Sequence, residues 1–339
     1  MRILGPSSTP ARRIRLLMPE SSLKARLKHL AMRALRPGLF ETNNRLADTT
    51  VRLERLELHL REVETLARAA GRGRFGAWRG GIHGEAIDAA GHPVPELTVK
   101  YLDELTFWIN FIKREAQATI NVPFEQVYGG WQRERMNELR EFLGLADQAA
   151  LNAWCLARSA VEIGAGPYPS IATAQWKRAV AIDPLADGYL AEKLLPKDCF
   201  CEEVVYLASP GEAVPLPSGF ADLVVIENCL DHVDNPRAVV REIKRLLKPG
   251  GHMWLLVDLM NYRDHMHPNP FSEAKLRELL SSEGFGVVRD RVSDHKSHPQ
   301  AYAEYRGLLV NGPVLASSAR ELDQRPEIHV VASTARQPR

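Results

Sequence analysis

Two acid–histidine neighbours are placed for chemistry, Asp231-His232 and Asp264-His265, and His267 and His298 follow in the same half of the chain. An imidazole beside a carboxylate can take up a proton near neutral pH, so either pair could act as general base toward a hydroxyl. A second set of residues is suited to holding a ligand rather than reacting with it. Ala160-Val161-Glu162-Ile163-Gly164-Ala165-Gly166-Pro167 reads as a buried strand that runs into a glycine turn. Gly164 and Gly166 allow the sharp turn and the close approach of a ligand. A helix expected over Pro169–Lys177 would present free N–H groups and partial positive charge to that ligand. Ala179-Val180-Ala181-Ile182 then leads into Asp183 and Pro184. An acid at the end of a second strand suits a two-oxygen grip on ribose hydroxyls. The pair predicts a nucleoside-containing ligand at the carboxyl edge of a parallel sheet.

The elements that must position these residues follow from the pattern. From about Asn152 strands alternate with helices. Strands are expected at 160–163, 179–183, 203–207, 222–227, 252–258, 286–292 and 327–332. Helices are expected at 169–177, 187–195, 236–248 and 273–282. Pro236 suits a first helical turn, Ser272 an N-cap and Gly284 a helix end. Ser293–His298 and Tyr302–Arg306 are expected as loops before the last strand.

The N-terminal half differs in texture. Residues 1–20, with Pro6, Pro10, Pro19 and Arg12, Arg13, Arg15, are expected to be a disordered basic tail. Residues 21–36 form a basic amphipathic helix that could lie on an anionic membrane surface or pack its leucines on the protein itself. Over 44–70, Leu46, Leu53, Leu60 and Ala67 recur every seven, with Thr49, Leu56, Val63 and Ala70 between them. This a/d seam predicts a short coiled coil and a homo-oligomer, against the alternative of an internal helical hairpin. Residues 71–98 are glycine-rich and are expected as a linker. Helices are expected at 97–116 and 131–143 and a cap or lid over 99–150, where Tyr128 and Trp131 are candidates for substrate contact.

Composition sets outer limits. A chain of 339 residues suits two domains or one with a long extension, and a net charge of +2 argues against a nucleic-acid partner. The four cysteines form no CxxC pair, no run of about 20 apolar residues spans a bilayer, and the start lacks a secretory signal pattern. A cytoplasmic protein is expected, with the inner membrane face as a further location if residues 21–36 bind there.

The motifs over roughly 155–335 resemble, in order and spacing, the class I S-adenosylmethionine-dependent methyltransferases. Val161–Gly166 is similar to the family's first motif, Ile182-Asp183 to its ribose-binding acid, and Ala221–Asn228 to its fourth strand. Leu230–Pro236 and Leu246-Leu247-Lys248-Pro249-Gly250-Gly251 are similar to the helix and glycine turn before the fifth strand. Tyr168 and Pro169 stand where a dinucleotide fingerprint needs small residues, which argues against a nicotinamide enzyme. The resemblance implies an α/β fold: a Rossmann-like seven-stranded sheet with helices on both faces, over 151–339. It implies S-adenosylmethionine held by Glu162 at the ammonium, by N–H groups around Gly164, Ala165 and Gly166 at the carboxylate, and by Asp183 at the ribose, with Pro184 beside it. Ser209, Gly211 and Glu212 would meet the adenine, although the usual acid of that loop is absent, and Asn228 is a further cofactor-binding candidate. His265 is the preferred base, with Asp264, Asp231 and His232 as alternatives; Tyr262, His267 and His298 would face the acceptor. Asp258, Asp264, His265 and His267 could instead bind a divalent metal, which their spacing does not favour. The loop after the fifth strand resembles that of methyltransferases from polysaccharide gene clusters. The expected reaction is O-methylation of a saccharide or cell-surface glycan, against a small natural product or a non-catalytic scaffold.

Overall fold

The computed structural model describes residues 77–88, 90–118, 124–194 and 204–313, together with Thr50. The expected basic tail at 1–20, amphipathic helix at 21–36, coiled coil at 44–70 and strand at 327–332 lie outside the described residues, Thr50 excepted.

Among the described residues the chain builds one seven-stranded sheet and a small hairpin. The hairpin is β1 (Ala77–Arg79) with β2 (Glu85–Ile87), antiparallel. Three helices follow: α1 (Pro95–Ala118), α2 (Phe124–Phe142) and α3 (Gln148–Leu156). Then come β3 (Ser159–Ile163), β4 (Arg178–Ile182), α4 (Ala186–Ala191), β5 (Val204–Leu207) and β6 (Ala221–Glu227). The last part comprises α5 (Pro236–Leu246), β7 (Leu247–Leu259), α6 (Glu273–Ser282), β8 (Phe285–Ser293) and β9 (Ala303–Asn311). The strand order is β5-β4-β3-β6-β7-β9-β8, parallel except for β9, which runs antiparallel to both neighbours. The central strands are apolar because both faces are covered. Val161 is in register with Val180 on one side and Val224 on the other, and all three are fully buried.

Each face has its own core. On one, Val239, Val240, Ile243 and Leu246 of α5 and Leu276 and Leu280 of α6 pack on the sheet. On the other, Met136, Leu139 and Phe142 of α2 and Leu151 and Cys155 of α3 pack with Trp176 and Trp254. Thus α2, which precedes residue 151, and α3, which spans it, share the sheet's own core. The third cluster joins Trp78 and Ala86 of the hairpin to Tyr101, Leu105 and Ile109 of α1 and to Leu185 and Tyr189.

Three expectations are corrected. The stretch 77–98 is not a linker: Trp78 is fully buried and anchors a hairpin, and α1 begins at Pro95. The segment 169–177 is not an α-helix but a single 3₁₀ turn at Ser170–Thr173. Ala174 is extended and the Trp176 indole N–H donates to the Ile171 carbonyl at 2.9 Å, which tucks the chain back. The seventh strand is 303–311, a stretch whose first residues read as loop. Its charges are paired inside the fold: Arg306 bonds both Glu304, 1% exposed, and Glu138 of α2, while Tyr305, Leu308 and Leu309 fill the cores.

Candidate functional site

The glycine turn lies at the carboxyl end of β3, at the middle of the sheet where the strand order reverses, the usual ligand crevice of open α/β sheets. Gly164 and Gly166 have φ of +66° and +57°. A Cβ on Gly164 would collide with the Cys229 thiol, and one on Gly166 would press on the Trp108 ring. Both positions therefore need glycine for conformation and for space.

The crevice is walled by Ile163, Gly164, Asp183, Pro184, Pro210, Gly211, Glu212, Cys229 and His232 from the sheet side, and by Lys100, Tyr101 and Glu104 of α1 from the other. It encloses about 50 Å³. Sites for ligands of nucleoside size run to about 300 Å³ or more, so α1 closes over the crevice in this conformation. Lys100 bonds Asp234 at 3.0 Å and Asp103 bonds His265 at 2.9 Å, which ties α1 to the loops after β6 and β7. The α1 residues were not singled out from sequence. The signal was there: Tyr101, Leu105 and Ile109 form the apolar stripe, and Lys100 and Glu104 flank it four residues apart.

The expected ligand-holding residues are gathered, but in internal bonds. Asp183, 3% exposed, accepts the N–H of Gly166 at 2.9 Å and of Leu185 at 2.8 Å. Burial pushes its carboxyl above the usual range, and the two N–H groups offset part of that. The N–H groups of Gly164 and Ala165 go to the Ile182 carbonyl. The expectation that free N–H groups surround the turn is thus corrected in this conformation. Glu162 accepts the Ser170 and Ile171 N–H groups at 3.0 and 2.9 Å and the Ser170 hydroxyl at 3.1 Å. It caps the 3₁₀ turn, so that turn offers no free N-terminus. Burial, with Glu227 nearby, raises the Glu162 carboxyl. In the loop after β5 the Ser209 hydroxyl turns inward to the Ala213 carbonyl at 2.9 Å. Glu212 lines the crevice and accepts the Asp234 and Asn235 N–H groups at 3.0 and 3.1 Å. Asn228 ends β6 with φ of +45°, a conformation costly outside glycine, and donates to the Ser297 hydroxyl at 2.9 Å.

A cluster of imidazoles and acids follows β6 and β7. The rings of His232 and His267 have centroids 4.4 Å apart, and those of His267 and His298 are 4.5 Å apart. Tyr262, 43% exposed, stacks on His298 at 6.0 Å. Asp264 does not pair with its neighbour His265. Its Oδ1 lies 3.0 Å from His267 Nδ1 and also accepts the His267 N–H. Desolvation acts to raise the Asp264 carboxyl, but these bonds outweigh it and hold it down to about 2. His265 faces Asp103 on α1 instead. Asp258 accepts the N–H groups of Ser297 and His298, so it positions that loop. Burial, then His267, push His232 down to about 3, so it is a neutral imidazole at pH 7. Burial raises the neighbouring Asp231 carboxyl. His232 belongs to both crevice and cluster, and joins the two halves of the site.

Tyr128 and Trp131 sit apart from that cluster. Tyr128 packs against Tyr168, Trp131 and Trp108, whose ring abuts Gly166. They flank the glycine turn rather than the imidazoles.

Residues 161–255 match the family model described as a methyltransferase domain. No curated protein matches the chain. Solved structures similar to it include a methyltransferase of the S-adenosylmethionine-dependent kind from Methanosarcina mazei, at 16% identity over 50% of this chain and 99% of that one, with a TM-score of 0.38. Another is the 1,6-didemethyltoxoflavin-N1-methyltransferase of Burkholderia thailandensis with 1,6-didemethyltoxoflavin and S-adenosylhomocysteine bound, at 20% identity over 67% of this chain and 94% of that one, with a TM-score of 0.41. A third is the N-methyltransferase NodS of Bradyrhizobium japonicum, at 15% identity over 54% and 97%, with a TM-score of 0.39. The matched domain and the seven-stranded sheet define a Rossmann-like methyltransferase. By that match residues 161–255 are a methyltransferase domain, and S-adenosylmethionine is its cofactor.

Proposed function

We propose that this methyltransferase acts on a hydroxyl of a saccharide or cell-surface glycan. The observation that carries the reading is the position of His232, on the wall of the crevice and in ring contact with His267. A hydroxyl is a poor nucleophile until its proton has somewhere to go, and the cluster puts the neutral imidazole of His232 on the crevice wall. Asp183 and the glycine turn, with Pro184 and Glu212 on the same crevice wall, are the residues that would hold the cofactor once their internal bonds open. Bound S-adenosylmethionine supplies an electrophilic methyl group on a sulfonium. The chain's own task is to orient the acceptor oxygen in line with that methyl and to receive its proton within the imidazole cluster. The Tyr262–His298 stack offers an aromatic face with polar edges, the kind of surface that suits the apolar face and hydroxyl rim of a sugar ring.

The imidazole–acid cluster favours this reading over a non-catalytic scaffold, because two of its polar atoms are buried without a partner, a costly arrangement for a merely structural module. The test is methyl transfer from labelled cofactor to a panel of oligosaccharides, nucleotide sugars and small phenols. Labelled sugar ethers support the reading. Label on phenols alone would replace the acceptor class, and label on amines alone would overturn O-methylation.

A further inference from the structure

The imidazole cluster gathers more ligand atoms than a proton transfer needs. One donor atom from each of Asp231, His232 and His267 lies within 4.8 Å of the others. Two polar atoms there are buried with no bonding partner, Asp231 Oδ1 and His232 Nδ1. Asp231 is 2% exposed, so bulk solvent does not reach its free oxygen. Among the described residues no lysine or arginine pairs with this carboxylate; its ion-pair contact is His232 Nε2 at 3.8 Å. A buried acid with a loose oxygen and no cationic partner is costly unless something positive joins it.

The neighbours set the imidazoles up as ligands. The Asp264 carboxylate beside His267 Nδ1 keeps the ring proton on that nitrogen and leaves the Nε2 lone pair free. Carboxylate–histidine pairs of this kind orient metal-bound imidazoles and fix their tautomer. His298 is set the opposite way. Its Nδ1 accepts the Gln300 N–H at 3.1 Å, so its proton sits on Nε2 and it can donate but not ligate. The result is a set of three: two imidazoles and one carboxylate.

We propose that Asp231, His232 and His267 bind one first-row divalent cation at the acceptor end of the crevice. Two nitrogens and one carboxylate oxygen suit zinc, manganese, iron or cobalt, and suit magnesium or calcium poorly because those prefer oxygen ligands. Three protein ligands leave positions open, and His232 places them on the crevice side. The binding site stands on this geometry alone; its role rests on the proposed hydroxyl acceptor, whose oxygen the cation would polarise. The set differs from the one the sequence suggested. Asp258 and His265 have other partners, Asp264 stands behind His267, and Asp231 and His232 come in from β6.

The test uses the full chain purified in metal-free buffer and titrated with Co²⁺, followed by visible absorbance, and with Zn²⁺, followed by calorimetry. One ion per chain is expected, with His267→Gln and Asp231→Asn each raising the dissociation constant tenfold or more. His267 lies on a loop, so its variant keeps the test intact if the buried Asp231→Asn protein fails to fold. No saturable binding, or the same binding in the His267→Gln variant, would overturn the site. S-adenosylhomocysteine binding is measured on the same samples. If it persists where the ions do not bind, the cation is removed and the methyltransferase reading stands; if ions bind and S-adenosylhomocysteine does not, the reverse holds.

Discussion

What a histidine can do depends on what holds its second nitrogen, and the histidines of this site differ in that respect. Asp264 holds His267 Nδ1, which leaves Nε2 directed by a charged partner. His265 has the same acid next to it in sequence but is 62% exposed at its side chain and spends its Nε2 on Asp103 of α1. Adjacent residues in an extended loop point apart, whereas a carboxylate that bonds the N–H two and three residues on curls the chain and brings the third side chain back. The nearest acid–histidine pair in the sequence was therefore the wrong pair in space. His267→Ala should lower turnover by about a hundredfold with S-adenosylhomocysteine affinity kept. His265→Ala should leave turnover within about threefold of wild type, since that ring serves the contact to α1. Steady-state kinetics on both variants, with the affinity measured separately, checks the assignment; equal losses in the two would contradict it.

Among the elements, α1 is the one whose place decides access. Its Lys100, Tyr101 and Glu104 line the closed crevice, and the Lys100–Asp234 salt bridge and the exposed Asp103–His265 bond fasten it to the sheet's loops. Exposed pairs contribute roughly 0.2–1 kcal/mol each, so the fastening is weak and reversible. Asp103→Ala combined with Asp234→Asn should tighten S-adenosylhomocysteine binding by about threefold, because less is lost when α1 withdraws. Calorimetry reads this directly, and weaker binding in the double variant would mean that α1 holds the cofactor rather than excludes it. The sheet itself was largely legible. Val161, Ile163, Val180 and Ile182 could only be strands covered on both faces, and Ser272 capped α6 as its position implied, accepting the Lys275 N–H at 3.3 Å. Illegible were elements set by distant partners. Nothing local tells that Arg306 meets Glu138 across 168 positions, so β9 passed for loop. Glu162 bonding Ser170 and Ile171 likewise limits to one turn a segment whose composition allowed a helix. The hairpin at 77–87 owes its order to Trp78 sinking between α1 and α4, which a glycine-rich composition conceals.

At the scale of the whole molecule, the closed crevice leaves a mark on stability. Burial, with Asp183 opposite, pushes the Glu104 carboxyl from its ordinary 4.5 up to about 8. The folded state then keeps a proton that the unfolded chain gives up above pH 4.5, so this group lowers stability progressively as pH rises from 4.5 toward about 8. Glu104→Gln carries no such proton and should flatten the decline. Urea denaturation at pH 5, 6.5 and 8 is the check, and an unchanged slope would show that the carboxylate is ionised in the fold. A cationic cofactor that draws α1 aside would relieve the same pressure, which links the stability profile to occupancy. The most direct measurement is calorimetric titration of the full chain with S-adenosylhomocysteine. One site per chain is expected, with Asp183→Ala raising the dissociation constant tenfold or more through loss of charged hydrogen bonds to the ribose. No binding at millimolar ligand, or undiminished affinity in the Asp183→Ala protein, would contradict the placement of the cofactor between β3 and β4.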